Sequence, residues 1–278
     1  MRYPREEVTI EDLKKLAKKV RINIIKMLTE AGSGHPGGSL SSVEILLTLF
    51  YKIMHHTSEN PFAPENDIFV LSKGHGVPAL YAVYAETGYI EEKLLLTLRK
   101  LDSPLQGHPD KQKLPCLTAS TGSLGQGLSI AQGYALAAKY DKTKRRVYCL
   151  LGDGECQEGQ IWEGFMSAGH YKIDNLTAII DYNKAQIDGL VKDVMDLEPL
   201  KEKLKAFKWE VFEVDGHNFE ELIDTFKKCK KIKDKPQVII AHTVKGKGVS
   251  FMEADLVKWH GVVPKKEEAE KAIRELSS

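Results

Sequence analysis

Neither sign of charge dominates this chain: 40 basic residues face 39 acidic ones, leaving a net charge of +1. That balance removes the electrostatic footprint of a nucleic-acid binder or of a protein held on an anionic membrane. No stretch nears the ~18 apolar residues of a membrane span, and the opening MRYPREEVTIEDLKKL has no apolar signal core. Cysteine is scarce. Cys116, Cys149, Cys156 and Cys229 form no CxxC pair and no metal-ligand spacing, so reduced thiols and a cytoplasmic location are expected. No Pro/Gly/Ser linker, low-complexity tract or internal repeat divides the sequence.

What the sequence does contain is an alternation. Of its 278 residues, 42% are hydrophobic, enough to bury a substantial core. Continuous apolar runs recur as IFVLS (68–72), VYCLLGD (147–153), LTAIIDYN (176–183), WEVFEVDG (209–216) and QVIIAHT (237–243). Such runs suit strands buried on both faces, hence a parallel sheet. Helical patterns lie between them. In NFEELIDTFKKCKK, Asn218 is placed to cap and Phe219, Leu222, Ile223 and Phe226 share one face. From about Thr9 to Glu30, Leu13, Leu16, Val20, Ile24 and Met27 form another stripe. The expectation is one α/β domain, a doubly wound, mainly parallel sheet flanked by helices, with a helical N-terminal segment and a C-terminal extension after about Val244.

Ligands in such sheets bind at the carboxyl ends of strands. Asp153 and Asn183 both fall there, 30 residues apart, the length of one strand–helix–strand unit. Adjacent strands would present a carboxylate and a carboxamide side by side. With a backbone carbonyl, a water and two phosphate oxygens, they would complete the octahedron that magnesium prefers. Gly152 and Gly154 would then let backbone approach a diphosphate, and the following helix would offer its amides. A lone GDG is also a common turn; the asparagine at this spacing favours the metal.

The segment GDGECQEGQIWEGFMSAGHYKIDNLTAIIDYNKAQIDG resembles the thiamine-diphosphate fingerprint of transketolases, GDG–xx–EG … DxN–xxx–IDG. Further segments match that family in order: SGHPGG (33–38), LSKGHG (71–76), GHP (107–109), TGSLGQG (121–127) and TVKGKG … WHG (243–261). The resemblance covers essentially the whole chain and implies a thiamine-diphosphate-binding fold, with residues 1–278 as its diphosphate-binding module.

Loop histidines flanked by glycine are poor core fillers. The resemblance implies that His35, His75, His108 and His260 line the channel above the thiazolium ring, hydrogen-bond substrate hydroxyls and assist proton transfers. It also implies that His75 and His260 reach the diphosphate, and that Asp153, Asn183 and the carbonyl of Ala185 hold Mg2+, with Ca2+ or Mn2+ as substitutes. Gly122 would approach the cofactor through its backbone, Leu124 beside the aminopyrimidine, with Ser123 where the family often has proline. Gly154, Glu155 and Ile187 fall in the same fingerprint and are implied at the cofactor. Lys245 is implied as a positive charge near cofactor or substrate, and Lys73 similarly. Glu158 is either an acid favoured by a helix N-terminus or, as in family members, part of an interface network. Ser123 or Thr121 is expected to cap the helix that TGSLGQG opens. His55, His56, His170 and His217 match no catalytic position and read as structural or surface residues. His242 lies near the sheet edge without a motif.

Every matched segment belongs to the module that holds diphosphate and metal. The second module of such enzymes grips the aminopyrimidine and supplies an activating glutamate, and nothing here resembles it. The chain therefore looks like the N-terminal subunit of a split transketolase. Its expected partner is a C-terminal subunit carrying the pyrimidine-binding module, in an α2β2 assembly. Its expected reaction is transfer of a two-carbon ketol unit from a ketose phosphate to an aldose phosphate through a thiamine-diphosphate carbanion. A 1-deoxyxylulose-5-phosphate synthase-like or 2-oxo-acid dehydrogenase-like subunit would share the metal motif, though the histidines and WHG favour transketolase over the dehydrogenase. A non-catalytic interaction subunit would have lost Asp153, Asn183 or the histidines, and all are present.

Overall fold

The computed structural model describes residues 2–277. Two short strands, β1 (Arg2–Tyr3) and β2 (His56–Thr57), pair antiparallel. The remaining five, β3 (Ile68–Leu71), β4 (Val147–Gly152), β5 (Leu176–Tyr182), β6 (Glu210–Asp215) and β7 (Gln237–His242), form one parallel sheet in the order β3-β4-β5-β7-β6. Each lies within one of the five apolar runs. β6 departs from the expected burial on both faces. It is an edge strand paired only with β7, and Val214 is its one buried residue.

Period-two alternation sorts the sheet's side chains onto two cores. Tyr148, Leu150, Ile179 and Ile239 face one core; Val147, Cys149, Leu151, Ala178, Ile180, Val238 and Ile240 face the other. Asp181 follows Ile179 by two residues and so points to the first side. The register sets Gly152 opposite Asp181 and Asp181 opposite Ala241. Asp153, Asn183 and Thr243 therefore emerge at one carboxyl edge.

The helices are α1 (Ile10–Ala31), α2 (Pro36–Leu40), α3 (Val43–Thr48), α4 (Val77–Glu86), α5 (Gln126–Tyr140) and α6 (Gly159–His170). They continue with α7 (Val191–Val194), α8 (Leu200–Ala206), α9 (Phe219–Cys229), α10 (Ser250–Glu253) and α11 (Lys266–Ser277). α1 starts at a capping box in which Thr9 and Asp12 bond each other's backbone, and it ends at Gly32 in the left-handed conformation, φ 65°. Asn218 caps α9 through a 3.1 Å bond from Glu221 N. α11 brings the C-terminal segment back onto α1, burying Ala269, Ala272 and Leu276. Among the described residues no helix is long and apolar enough to cross a membrane, and all four cysteines are free thiols.

The start of α5 corrects an expectation. Neither Ser123 nor Thr121 caps it; the cap is Gly125 at φ 87°, with no side-chain cap bond. Thr121 instead donates its hydroxyl to Leu71 O at 2.6 Å, tying its loop to the end of β3. A residue with a side chain would be strained at this φ, so glycine occupies the position.

Candidate active site

At the end of β4, Asp153 is 1% exposed. Its carboxylate accepts from Gly154 N at 2.8 Å and from Lys184 N at 2.5 Å. Burial and the neighbouring Asp181 carboxylate push its carboxyl up to about 7, outweighing the bonds from Lys184 N and Gly154 N and the charge of Lys245. Asn183 donates its amide to Asp181 Oδ2 at 3.0 Å, which turns its carbonyl oxygen away; Ala185 N lies 3.3 Å from that oxygen. The Ala185 carbonyl accepts from Lys245 Nζ at 2.6 Å, so it already draws a cation. Burial lowers Lys245 to about 8, against the pull of Asp153 and Asp181. A carboxylate, a carboxamide and a carbonyl fit a hard divalent cation. Among the described residues no three His, Cys, Asp or Glu side chains gather to hold a metal alone. Such a cation would therefore draw further oxygens from a bound anion or water.

Behind this edge two motif residues, Lys73 of LSKGHG and Asp181 of DxN, make a bond that neither motif specifies. Lys73 and Asp181 form an ion pair of 2.5 Å with side chains 1% and 0% exposed. Asp181 also accepts from Ser41 Oγ at 2.6 Å and from the Thr243 hydroxyl, while Lys73 donates to Gly38 O at 2.8 Å. Burial alone would raise Asp181, but the Lys73 charge and the bonds from Lys73, Ser41 and Thr243 outweigh it and hold the carboxyl below its ordinary value. One carboxylate thus joins α2, the β3 turn, β5 and the turn after β7. The signal available in the sequence was an aspartate inside the otherwise apolar run LTAIIDY.

The four glycine-flanked histidines converge. His35 lies 5.2 Å from His75, 5.6 Å from His260 and 6.1 Å from His108 between ring centroids, and His75 lies 5.1 Å from His260. All four rings are half-buried. Glycines make the convergence possible: a Cβ on Gly74 would lie 2.9 Å from Gly122 N, and one on Gly122 would lie 3.2 Å from His108 Cδ2. His260 Nδ1 meets Lys245 Nζ at 2.8 Å. His35 Nδ1 is buried without a hydrogen-bond partner. Burial, joined by Arg99, His108 and Lys245, lowers His35 to about 4; burial, with Lys245, His35 and Lys73, lowers His260 to about 3. His75 lies well below its ordinary value, chiefly through burial and Lys73; His108 is lowered by burial and Arg99. At neutral pH the cluster is four uncharged imidazoles, each able to donate at one nitrogen and accept at the other.

Arg99 is a residue that the motifs missed. It is exposed, its backbone is left-handed at φ 60°, and its Nη2 donates to Gly107 O at 3.4 Å. A Cβ on Gly107 would collide with Arg99 Cζ, so this glycine lets the guanidinium lie over the loop carrying His108.

The other sequence candidates fall as follows. Glu155, 2% exposed, accepts from Ser72 Oγ at 2.5 Å, Gly125 N at 3.0 Å and Gly152 N at 3.1 Å, holding three loops together. Gly154 faces Gln186, whose Cβ would lie 3.1 Å from a Cβ on the glycine. Ser123 is exposed, Leu124 half-buried and Ile187 59% exposed. Glu158 is exposed before α6 and makes no side-chain cap bond. His56 is structural, bonded to Tyr89 Oη and Phe50 O. His55 and His170 are exposed, and His242 pairs with Glu213 at 3.0 Å.

Comparison with known proteins gives the family. The family model described as "Transketolase, thiamine diphosphate binding domain" matches residues 13–277. The chain is 42% identical to one subunit of the apulose-4-phosphate transketolase of Phocaeicola vulgatus, over 96% of this chain and 95% of that one. It is 43% identical to the 6-deoxy-6-sulfo-D-fructose transketolase subunit SqwG of Clostridium sp., over 95% and 96%. Against the transketolase of Homo sapiens identity is 44%, but 98% of this chain spans only 43% of that protein. The crystal structure of Campylobacter jejuni transketolase superposes with a TM-score of 0.91 at 34% identity, over 97% of this chain and 43% of that one.

Proposed function

The chain belongs to the transketolase thiamine-diphosphate-binding family, and on that premise we propose that it is the diphosphate- and metal-binding subunit of a two-chain transketolase. One observation carries this reading. The four histidines converge, and Lys245 links His260 to the Ala185 carbonyl beside Asn183, in a chain 42% identical to a relative named as a transketolase subunit. The remaining module then resides on a partner subunit, and α2β2 is the assembly in which each pair completes a site. Residues 1–278 act as one diphosphate-binding module, in the cytoplasm, where free thiols persist.

In this reading Asp153, Asn183 and the Ala185 carbonyl hold magnesium, and Gly122, Ser123, Leu124, Gly154, Glu155 and Ile187 shape the surface that receives the cofactor. When bound, thiamine diphosphate supplies the nucleophilic carbon and the electron sink for breaking and forming a carbon–carbon bond. Lys245 places positive charge beside the diphosphate. His35, His75, His108 and His260 bond the hydroxyls of the two-carbon unit and shuttle protons as it moves from a ketose phosphate to an aldose phosphate. Their neutrality suits both tasks, because a neutral imidazole has one donor and one acceptor nitrogen, although Lys245 already occupies the acceptor of His260. The two subunit relatives are named for different sugars, which supports assigning the shared two-carbon end to this chain.

The test is to purify the chain, supply thiamine diphosphate, magnesium and a ketose-phosphate/aldose-phosphate pair, and then add the partner subunit. Ketol transfer that appears only on mixing is the expected result. Transfer by the chain alone refutes the split-enzyme reading, and none from the mixture refutes the transketolase reading.

A further inference from the structure

The turn carrying Lys245 is held from two sides by a buried polar relay that no motif includes. The Asp215–His217 turn is pressed against the end of β7. Gly216 N donates to His242 O at 2.8 Å, and a Cβ on Gly216 would collide with Thr243 Cγ2. This contact brings His217 Nε2 to 2.8 Å from Val244 N. A backbone N–H only donates, so Nε2 accepts and the ring proton resides on Nδ1. Nδ1 then donates to Glu44 Oε2 at 2.9 Å. Arg21 grips both oxygens of Glu44, at 2.8 and 2.7 Å, and its Nε donates to Lys247 O at 2.9 Å. The relay thus closes on the backbone one residue before Lys245 and two residues after it. Between those anchors, Gly246 N donates to Gly37 O at 3.1 Å.

We propose that His217 is a positioning residue for Lys245. By accepting the Val244 N–H, it fixes the backbone from which the Lys245 ammonium reaches Ala185 O and His260 Nδ1. The inference rests on the proposed diphosphate and substrate site at those atoms. Its physical basis is leverage. A backbone N–H without an acceptor at a half-buried position turns toward another partner. Displacing Val244 moves the root of Lys245, and displacement of about 1 Å at a reacting site costs on the order of 10²-fold in rate. The Thr243 and Gly246 anchors remain, so a smaller loss is expected, about tenfold.

Two amide substitutions separate this role from packing. His217→Asn places an amide nitrogen where Nδ1 was, keeps the bond to Glu44 and leaves Val244 without an acceptor. His217→Gln places an amide oxygen near the Nε2 position and keeps the Val244 bond. Thiamine-diphosphate affinity is titrated in the presence of magnesium, and ketol-transfer kcat is measured, on the chain assembled with its partner. Melting of each cofactor-free chain verifies folding. The expected result is a roughly tenfold lower kcat and weaker cofactor binding for His217→Asn, with the Gln variant restoring both to within about threefold at a similar Tm. Equal effects of Asn and Gln, or wild-type values for Asn, overturn the positioning role. Should His217→Asn not fold, His217→Ser removes the acceptor with less bulk, and the same contrast with Gln decides. If the wild-type complex binds thiamine diphosphate but transfers no ketol unit, the function fails while the affinity contrast still tests His217. If it does not bind the cofactor, both fall.

Discussion

Asp181→Asn probes how the site is braced. The asparagine keeps the size of a side chain that is wholly buried, but removes the charge opposite Lys73, itself 1% exposed. The lysine then has only neutral acceptors, the Gly38 carbonyl and the new amide oxygen. Leaving one member of a buried pair uncompensated costs about 3–5 kcal/mol. In a chain of this size each kcal/mol moves Tm by about 2 °C, so a fall of roughly 6–10 °C is expected. Melting the cofactor-free chain by circular dichroism measures it, and repeating the melt in 1 M salt adds a control, because a pair this buried is scarcely screened. The double variant Lys73→Met/Asp181→Leu, which removes both charges, should lose less than the two single variants summed. A Tm drop below about 2 °C for Asp181→Asn, or strict additivity in the double variant, would refute the bracing argument.

Three further outcomes are expected. Asp153→Ala should weaken magnesium-dependent thiamine-diphosphate binding by at least tenfold, about 1.4 kcal/mol, in a titration of the assembled complex; affinity within about twofold of wild type sinks the metal assignment. His108→Ala should lower kcat/KM for sugar phosphates by on the order of 10²-fold with cofactor affinity nearly unchanged, and unaltered sugar kinetics would return this ring to a structural role. Burial raises Glu44, but the Arg21 charge and the bonds from His217 and Arg21 outweigh it and hold the carboxyl at about 2, below its ordinary 4.5. The unfolded chain therefore takes up this proton first. The group's contribution, about 3 kcal/mol, is complete above pH ~4.5 and is lost as pH falls toward 2. Urea melts from pH 6 to 3 should show Glu44→Gln with a shallower acid limb than wild type; parallel limbs contradict it.

How far the sequence could be read depends on what each residue's position encodes. Strand ends were legible, because a buried parallel strand is a continuous apolar run whose last residue marks the carboxyl edge of the sheet; hence Asp153 and Asn183 directly follow the adjacent strands β4 and β5. The histidines were legible as a set because each has a glycine beside it in a loop, a poor setting for a core residue. β6 was legible as a strand but not as an edge, since run length carries no information about how many neighbours a strand will have. The α5 cap was misread for a related reason. Ser and Thr are good caps wherever their hydroxyls are free, but β3 claims the Thr121 hydroxyl through Leu71 O, a contact between residues 50 apart in sequence.

The bonds that brace the site, which no motif specifies, join partners distant in sequence. Asp181 reaches Lys73 across 108 residues, and His217 reaches Glu44 across 173. Arg99 is visible only once Gly107 is known to leave room for its guanidinium. Spacing rules describe one element and its immediate neighbour, so they find the atoms that face a ligand. The groups that hold those atoms still are assembled by topology. Here the strand order β3-β4-β5-β7 sets Asp181 between the turn bearing Lys73 and the turn bearing Lys245. One buried carboxylate is thereby bonded directly to the turn carrying His75, and through Thr243 it restrains the backbone leading to Lys245. That shared dependence is why a single change at Asp181 should disturb the Asp153–Asn183 edge and the histidine cluster together.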